Sequence, residues 1–458
     1  MTPSSEPTGI ASSLTDSPMR PISIRERIPA IDVLRGLAVF GILTVNIYFF
    51  SHAWFFDYER FLEVIGNVAP PSVADRITYA VVMFLFQECL YSLFAFLFAA
   101  GAAMMLARAQ AAGASFTRLY VRRILALFAI GLCHVVFFWS GDILITYAVV
   151  GFALLAFYKR ADSTLLAWAA VCLSVGAIGF AVVVALTADA SGLPAPARAS
   201  APATASASTS SPASSPASQA GLSPEQRIEL AYRKFARRMA DTYAHGTYLQ
   251  VLTLRVLDYL LWTLAIVPLQ YPRVLGMFLL GLWAGRRGIF QNVEGHLAFV
   301  RRVTWWGLFL SIAGGALGAI GRWQAHSMSA SLTWFGLAAF VGDTIRTPAM
   351  AFAMAGGALL LLRREAWRRR LQPLAAVGRM SLSNYLLQSA VCSWVFYGYG
   401  LGLYGQVGPA VGLALAVAIF AVQVPLSVAW LRFFRFGPVE WLWRTLTYGT
   451  PPPMRAGA

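Results

Sequence analysis

The stretch Arg27–Phe56, RIPAIDVLRGLAVFGILTVNIYFFSHAWFF, decides the fold. Asp32 and Arg35 stand near its start, and an apolar run long enough to cross a bilayer follows. Asn46 sits inside that run, and His52 and Trp54 come just past it. At about 1.5 Å of rise per residue, Arg35 and His52 are roughly 25 Å apart along a helix axis, most of a hydrocarbon core. One helix thus carries a polar pair at one membrane face and an imidazole near the other. The run is too long, and its far flank too bulky, for a cleaved signal peptide, so it reads as a retained anchor.

Composition extends that reading to the whole chain. Of 458 residues, 58% are hydrophobic and only 12% charged, against roughly a quarter charged in soluble domains. The fold class is therefore all-α, a polytopic transmembrane helix bundle in a lipid bilayer. The net charge of +16 comes from arginines at the ends of apolar runs, which is topology signal. No basic face with interleaved aromatics is left for nucleic acid. Cys89, Cys133, Cys172 and Cys392 all fall in apolar runs without a CxxC pair, so they read as buried thiols, and no metal is expected.

Spans are expected near 32–52, 77–107, 119–139, 142–158, 163–187, 272–285, 303–321, 347–362, 374–398 and 408–431. An Ala/Ser/Pro-rich tract, 188–222, cannot bury a core and reads as a flexible linker, and 223–247 as a surface helix. The chain then divides into a disordered 1–27, a membrane half at 28–187, the linker with its helix at 188–247, a second membrane half at 248–449, and a tail at 450–458. Segment 249–268 is ambiguous, because Arg255 and Asp258 interrupt it and Pro268 and Pro272 close it. Arginine-rich loops at 108–123, 286–302 and 363–370, and the basic N-terminus, belong on the cytoplasmic side. Those assignments agree if 249–285 crosses once, with 249–268 interfacial or broken. The expectation is ten spans, both termini cytoplasmic and the linker outside.

Polar groups within spans are costly and point to function. His52, Gln87, Glu88, His134 and Asp142 gather in the outer half of this topology. The short turn WSG at 139–141 makes the third and fourth spans a hairpin, so His134 and Asp142 can face each other. An imidazole beside a carboxylate is a general-base arrangement. Each residue also has a structural reading. Asp142 and Asp32 suit helix N-caps, His134 a carbonyl partner, Arg35 a lipid phosphate, and His52 an aromatic belt. Glu88 has the fewest such excuses. Ser381, Asn384, Tyr385 and Gln388, at i, i+3, i+4 and i+7, form a polar stripe that either joins spans or lines a cavity. Glycines such as Gly276, Gly281 and Gly285 read as close helix packing.

The same stretches resemble the YeiB-like family of bacterial inner-membrane proteins of undetermined function. The matching pieces are I-D-x-L-R-G-x-A-x-x-G-I-L-x-x-N at 31–46, L-F-x-F-L-F at 93–98 and His134 with WSGDILITYA at 139–148. RMSLSNYLLQS at 379–389, which includes Arg379, and GPVEWLWR-x-LTYG at 437–449 complete them. The opening motif is also similar to that of transmembrane acyltransferases, including heparan-alpha-glucosaminide N-acetyltransferase. That resemblance implies acyl transfer from a cytoplasmic acyl-CoA to an acceptor on the far side, a sugar, lipid or peptide. In the acyltransferase-3 branch a histidine stands eleven residues after the arginine; here Asn46 does. The glucosaminide branch resembles this chain instead, which puts the reactive histidine at His52, ahead of Trp54. Under this reading Asp32 and Arg35 meet the donor, His134 and Asp142 complete the acid–base set, and Glu88, Asn384 and Gln388 line the cavity. The rival expectation is a transporter or exporter in which Glu88, His52 and His134 relay protons.

Overall fold

The computed structural model describes residues 28–52, 61–63, 71–191, 224–265, 267–324 and 333–455. The expectations for 1–27, Trp54 and most of the Ala/Ser/Pro tract lie outside them. The opening stretch forms α1, Pro29–Ser51. Proline early in the helix suits its φ and wastes no donor. Asp32 is not the cap: that position is Ile28, with no side-chain bond, and Asp32 lies in the first turn, where a carboxylate favours the helix dipole.

The expected span at 77–107 is two helices, α2 (Val73–Leu85) and α3 (Cys89–Ala111), parted at residues 86–88. Then follow α4 (Phe116–Phe137), the short α5 (Leu144–Ala153) with a 3-10 turn Leu154–Ala156, and α6 (Asp162–Ser191). At ten residues, α5 reaches about 15 Å, half of a hydrocarbon core of about 30 Å. Past the tract come α7 (Pro224–His245), α8 (Tyr248–Ala265) and α9 (Val267–Arg286). A tight hairpin of α10 (Leu297–Gln324) and α11 (Trp334–Leu362) follows. The span expected at 374–398 is likewise broken, at Met380, into α12 (Glu365–Arg379) and α13 (Ser381–Phe396). The last two helices are α14 (Pro409–Phe433) and the amphipathic α15 (Pro438–Tyr448), which the apolar-run reading left out.

Among the described residues, seven helical stretches are long and apolar enough to cross a membrane, α2 and α3 counting as one. The side-chain distribution is that of a chain solvated by lipid. Trp305, Trp306, Phe309 and Trp323 of α10 point outward, while Asn46, His134, Arg255, Gln388 and Gln423 are buried. An apolar exterior around polar groups that satisfy one another suits a medium without water. The chain is an all-helical, multi-pass membrane protein.

Helix α1 lies at the centre, packed on α12, α13 and α14, and α9 packs on α3 and α6. Glycine sets two of these approaches. A Cβ at Gly281 of α9 would collide with the Phe96 carbonyl of α3, and one at Gly378 of α12 with the Asp32 carbonyl of α1. Two readings need correction. Helix α7 is not wholly a surface helix, since Ala236, Met239 and Tyr243 are buried against the bundle. Cys133 is an exposed thiol on α4, whereas Cys89, Cys172 and Cys392 are buried.

Candidate functional site

A cavity of about 260 Å³ lies where α1 ends, α3 begins and α5 begins. Its polar wall comes from five places. His52 follows the last turn of α1, Glu88 occupies the α2–α3 break, Asp142 precedes α5, Asp258 belongs to α8 and Arg273 to α9. Met239 and Tyr243 of α7 also line it. The α2–α3 break turns the N-terminus of α3 into the cavity. Glu88 adopts φ 64°, the single positive value for a non-glycine among the described residues, and forms an ion pair with Arg273. Such a backbone costs on the order of 1 kcal/mol or more and persists where surroundings hold it. Here the arginine across the cavity is part of that hold.

Behind Asp142 runs a hydrogen-bonded chain. His134 is fully buried on α4, its Nδ1 2.8 Å from Asp142 Oδ1 and its Nε2 2.8 Å from Ser389 Oγ of α13. The other carboxylate oxygen of Asp142 accepts the Ile145 N–H at 2.7 Å, so the same residue also caps the first turn of α5. With Asp142 ionised, the ring donates through Nδ1 and accepts the Ser389 hydroxyl at Nε2. Ser389 Oγ also lies 3.3 Å from the Tyr385 carbonyl. If the ring becomes imidazolium, Nε2 donates instead, and the hydroxyl has that carbonyl to turn to. The chain can therefore take up a proton without leaving a buried group unpaired.

His52 lines the cavity with its Nδ1 3.3 Å from Ser51 Oγ and its ring against Phe61. Asn46 is one step behind the wall: its Oδ1 accepts the hydroxyl of Tyr91, a lining residue. Asp258 accepts the Ser140 hydroxyl at 2.9 Å. Its neighbour Arg255 is fully buried and donates to the Val136 carbonyl at 3.1 Å and the Tyr399 hydroxyl at 3.3 Å. The charged pair that made 249–268 ambiguous thus faces the protein interior.

Other expected residues stand elsewhere. Asn384 and Gln388 do not line the cavity. Asn384 Nδ2 donates to Ser427 Oγ at 3.0 Å and Gln388 Nε2 to Gln423 Oε1 at 2.8 Å, so their stripe joins α13 to α14. Polar side chains facing another helix in a lipid-solvated bundle satisfy each other first. Asp32, Arg35 and Arg379 lie at the opposite end of α1 and outside the cavity wall. Asp32 Oδ1 is 3.9 Å from Arg35 Nη1, and Arg379 Nη2 donates to the Arg435 carbonyl at 3.3 Å. Nearby, Glu440 of α15 accepts the N–H groups of Leu382 and Ser383 at 2.7 and 3.0 Å, closing the start of α13. Burial pushes its carboxyl above the usual range, against those hydrogen bonds.

Four residues that the site uses were not among those expected: Arg273, Asp258, Arg255 and Ser389. Arg273 and Arg255 carried a signal, since an arginine within an apolar run asks for a partner. Ser389 continues the stripe from Tyr385 by one more helical turn. Among the described residues, no three His, Cys, Asp or Glu side chains gather as a metal site.

Comparison with known proteins places this architecture. The chain is 34% identical over 445 residues to the uncharacterized protein YxaH of Bacillus subtilis, covering 94% of this chain and 97% of that protein. Residues 284–450 match the family described as Protein of unknown function (DUF418). The chain belongs to the YeiB-like DUF418 family. It is also 28% identical over 442 residues to the uncharacterized protein YeiB of Escherichia coli, covering 93% of this chain and 98% of that protein. No solved structure matches. The stretch matched to DUF418 contributes Ser389 to the site of this YeiB-like chain. His52, Glu88, His134, Asp142, Asp258 and Arg273 all precede that stretch.

Proposed function

We propose that the protein is an acyltransferase of the bacterial inner membrane, moving an acyl group from a cytoplasmic acyl-CoA to an acceptor in the cavity. The observation that carries this reading is the Asp142–His134–Ser389 chain, two contacts of 2.8 Å that end on the cavity wall at Asp142. Acyl transfer needs a group that takes the proton of an acceptor hydroxyl or amine as the new ester or amide bond forms. The same proton then goes to the departing thiolate, and the thioester C–S bond breaks. His52, on the wall, receives the acceptor's proton, and the His134 chain fixes the electrostatics of Asp142 on the same wall. Glu88 and Arg273 orient the acceptor, a small molecule, glycan or lipid. Asp32 and Arg35 lie at the cytoplasmic mouth, where arginine meets donor phosphates through charge-assisted hydrogen bonds. Ten spans with both termini cytoplasmic complete the proposal.

One observation favours a second reading. A span broken inside the membrane, with an ion pair at the break, is a device of transporters, and the α2–α3 break carries Glu88 and Arg273. Thiol release by the purified protein from a panel of acyl-CoA donors, with envelope extract as acceptor, separates the two. Release by the wild type and none by His52→Ala is the expected result. No release from any donor, together with substrate uptake into vesicles without chemical change, would replace acyl transfer by transport.

A further inference from the structure

At the end of the bundle away from the cavity, cations outnumber the groups that answer them. Arg123 of α4 is within electrostatic reach of Arg35 of α1 and, more weakly, of Arg108 of α3, with the Tyr448 hydroxyl opposing them. The Arg35 guanidinium lies against α3, where a Cβ at Gly101 would be 3.2 Å from it. Asp32 answers Arg35. Among the described residues no carboxylate does so for Arg108 or Arg123. Arg108 Nε reaches the Met104 carbonyl at 3.4 Å, and the Arg123 guanidinium lies 3.7 Å over the ring of Trp443 on α15. Partly buried guanidinium groups gathered with too few acids are unfavourable unless an anion joins them. Planar forks of donors suit a phosphate in particular.

What lies behind Trp443 narrows the ligand. Its ring also lines a second cavity of about 50 Å³, walled by Val39, Ile42, Phe94, Phe98 and Leu127. Ile143 belongs to the walls of both cavities. This narrow apolar slot thus shares Trp443 with the arginine group and Ile143 with the acid-lined cavity, and its walls suit a segment without charge.

We propose that Arg108, Arg123 and Trp443 form a binding site for a phosphate-headed amphiphile, with its phosphate on the arginines and the first carbons of its chain at the slot. Two sources share that chemistry: the phosphorylated thioester donor of acyl transfer, and a phospholipid of the adjoining leaflet. The site seats the donor of the reading above and so deepens it, yet it stands on its own if the occupant is a lipid.

The test uses the full chain in detergent. Calorimetric titration with coenzyme A, pantetheine and inorganic diphosphate supplies the arm with its phosphates, the arm alone and the head alone. Native mass spectrometry after incubation with phosphatidylglycerol supplies the lipid. For a donor site, coenzyme A binds, pantetheine binds at least tenfold more weakly, and Arg123→Gln weakens coenzyme A by roughly ten- to a hundredfold, the scale of lost charge-assisted hydrogen bonds. Ile42→Phe, which fills the slot without touching the charge, weakens coenzyme A but leaves diphosphate unchanged. Retention of phosphatidylglycerol by the wild type but not by Arg123→Gln, with no coenzyme A binding, supports the site and removes its role in acyl transfer. Coenzyme A binding and lipid retention that both survive Arg123→Gln and Ile42→Phe unchanged, or the absence of both in the wild type, overturns the site.

Discussion

His134 shows how a buried side chain is kept ready for a proton. Both ring nitrogens have partners at 2.8 Å, yet one partner is a hydroxyl that can donate or accept. Replacing His134 by Ala should lower acyl-transfer turnover by about ten- to a hundredfold, the scale of a lost hydrogen bond to the charged Asp142. Ser389→Ala should cost less, roughly tenfold, because Asp142 still orients the ring and one hydrogen bond is lost. Turnover is to be measured beside thermal unfolding in detergent. Equal losses in both variants with unchanged melting would mean that Ser389 does more than hold the ring, and unchanged turnover in both would remove the chain from the mechanism. The sequence made the His134–Asp142 approach legible because only six residues, 138–143, join α4 to α5. It hid Arg273 because the partner Glu88 is 185 positions away. Asn384 and Gln388 read equally well as glue or as lining; only the facing Gln423 and Ser427 decide between them.

Helices are where the sequence was most readable and also where it misled. The expected spans at 32–52, 119–139 and 163–187 coincide within a few residues with α1, α4 and α6, since long apolar runs leave little choice in a bilayer. The breaks at 86–88 and Met380 went unseen because no proline or glycine marks the first, and Gly378, just before the second, lies within α12. Both come from tertiary partners, Arg273 at the first and Glu440 at the second. Close helix approaches can be tested with a matched pair. At Gly378 a Cβ meets backbone of α1, which cannot swing aside, whereas at Gly357 of α11 it meets nothing within 4 Å. Gly378→Ala should destabilise by about 1–3 kcal/mol. Gly357→Ala should be neutral or stabilising by up to about 1 kcal/mol, the helix preference for alanine. Similar melting temperatures for the two would show that α1 and α12 tolerate separation.

For the whole molecule, orientation is the open quantity with a direct readout. Reading the arginine-rich loops as cytoplasmic predicts an N-terminus in the cytoplasm and the Ala/Ser/Pro tract outside. A reporter inserted within 190–220 should read extracytoplasmic, and a cytoplasmic signal would refute the ten-span arrangement. The expected division into two membrane halves also meets a fold in which the halves are not side by side. Helix α1 of the first packs on α12, α13 and α14 of the second, and α9 of the second packs on α3 and α6 of the first.

That interleaving makes the peptide connection between the halves nearly dispensable. Closing a loop grows costlier only slowly, by about 0.6 kcal/mol for each doubling of its length, so a long tether adds little to an interface already locked by backbone approaches at Gly281 and Gly378. The gene should therefore tolerate bisection. Fragments 1–205 and 206–458, translated as separate polypeptides, should find each other in the bilayer and co-purify through a tag on either one. Recovery of each fragment alone would mean that covalent continuity, not packing, joins them.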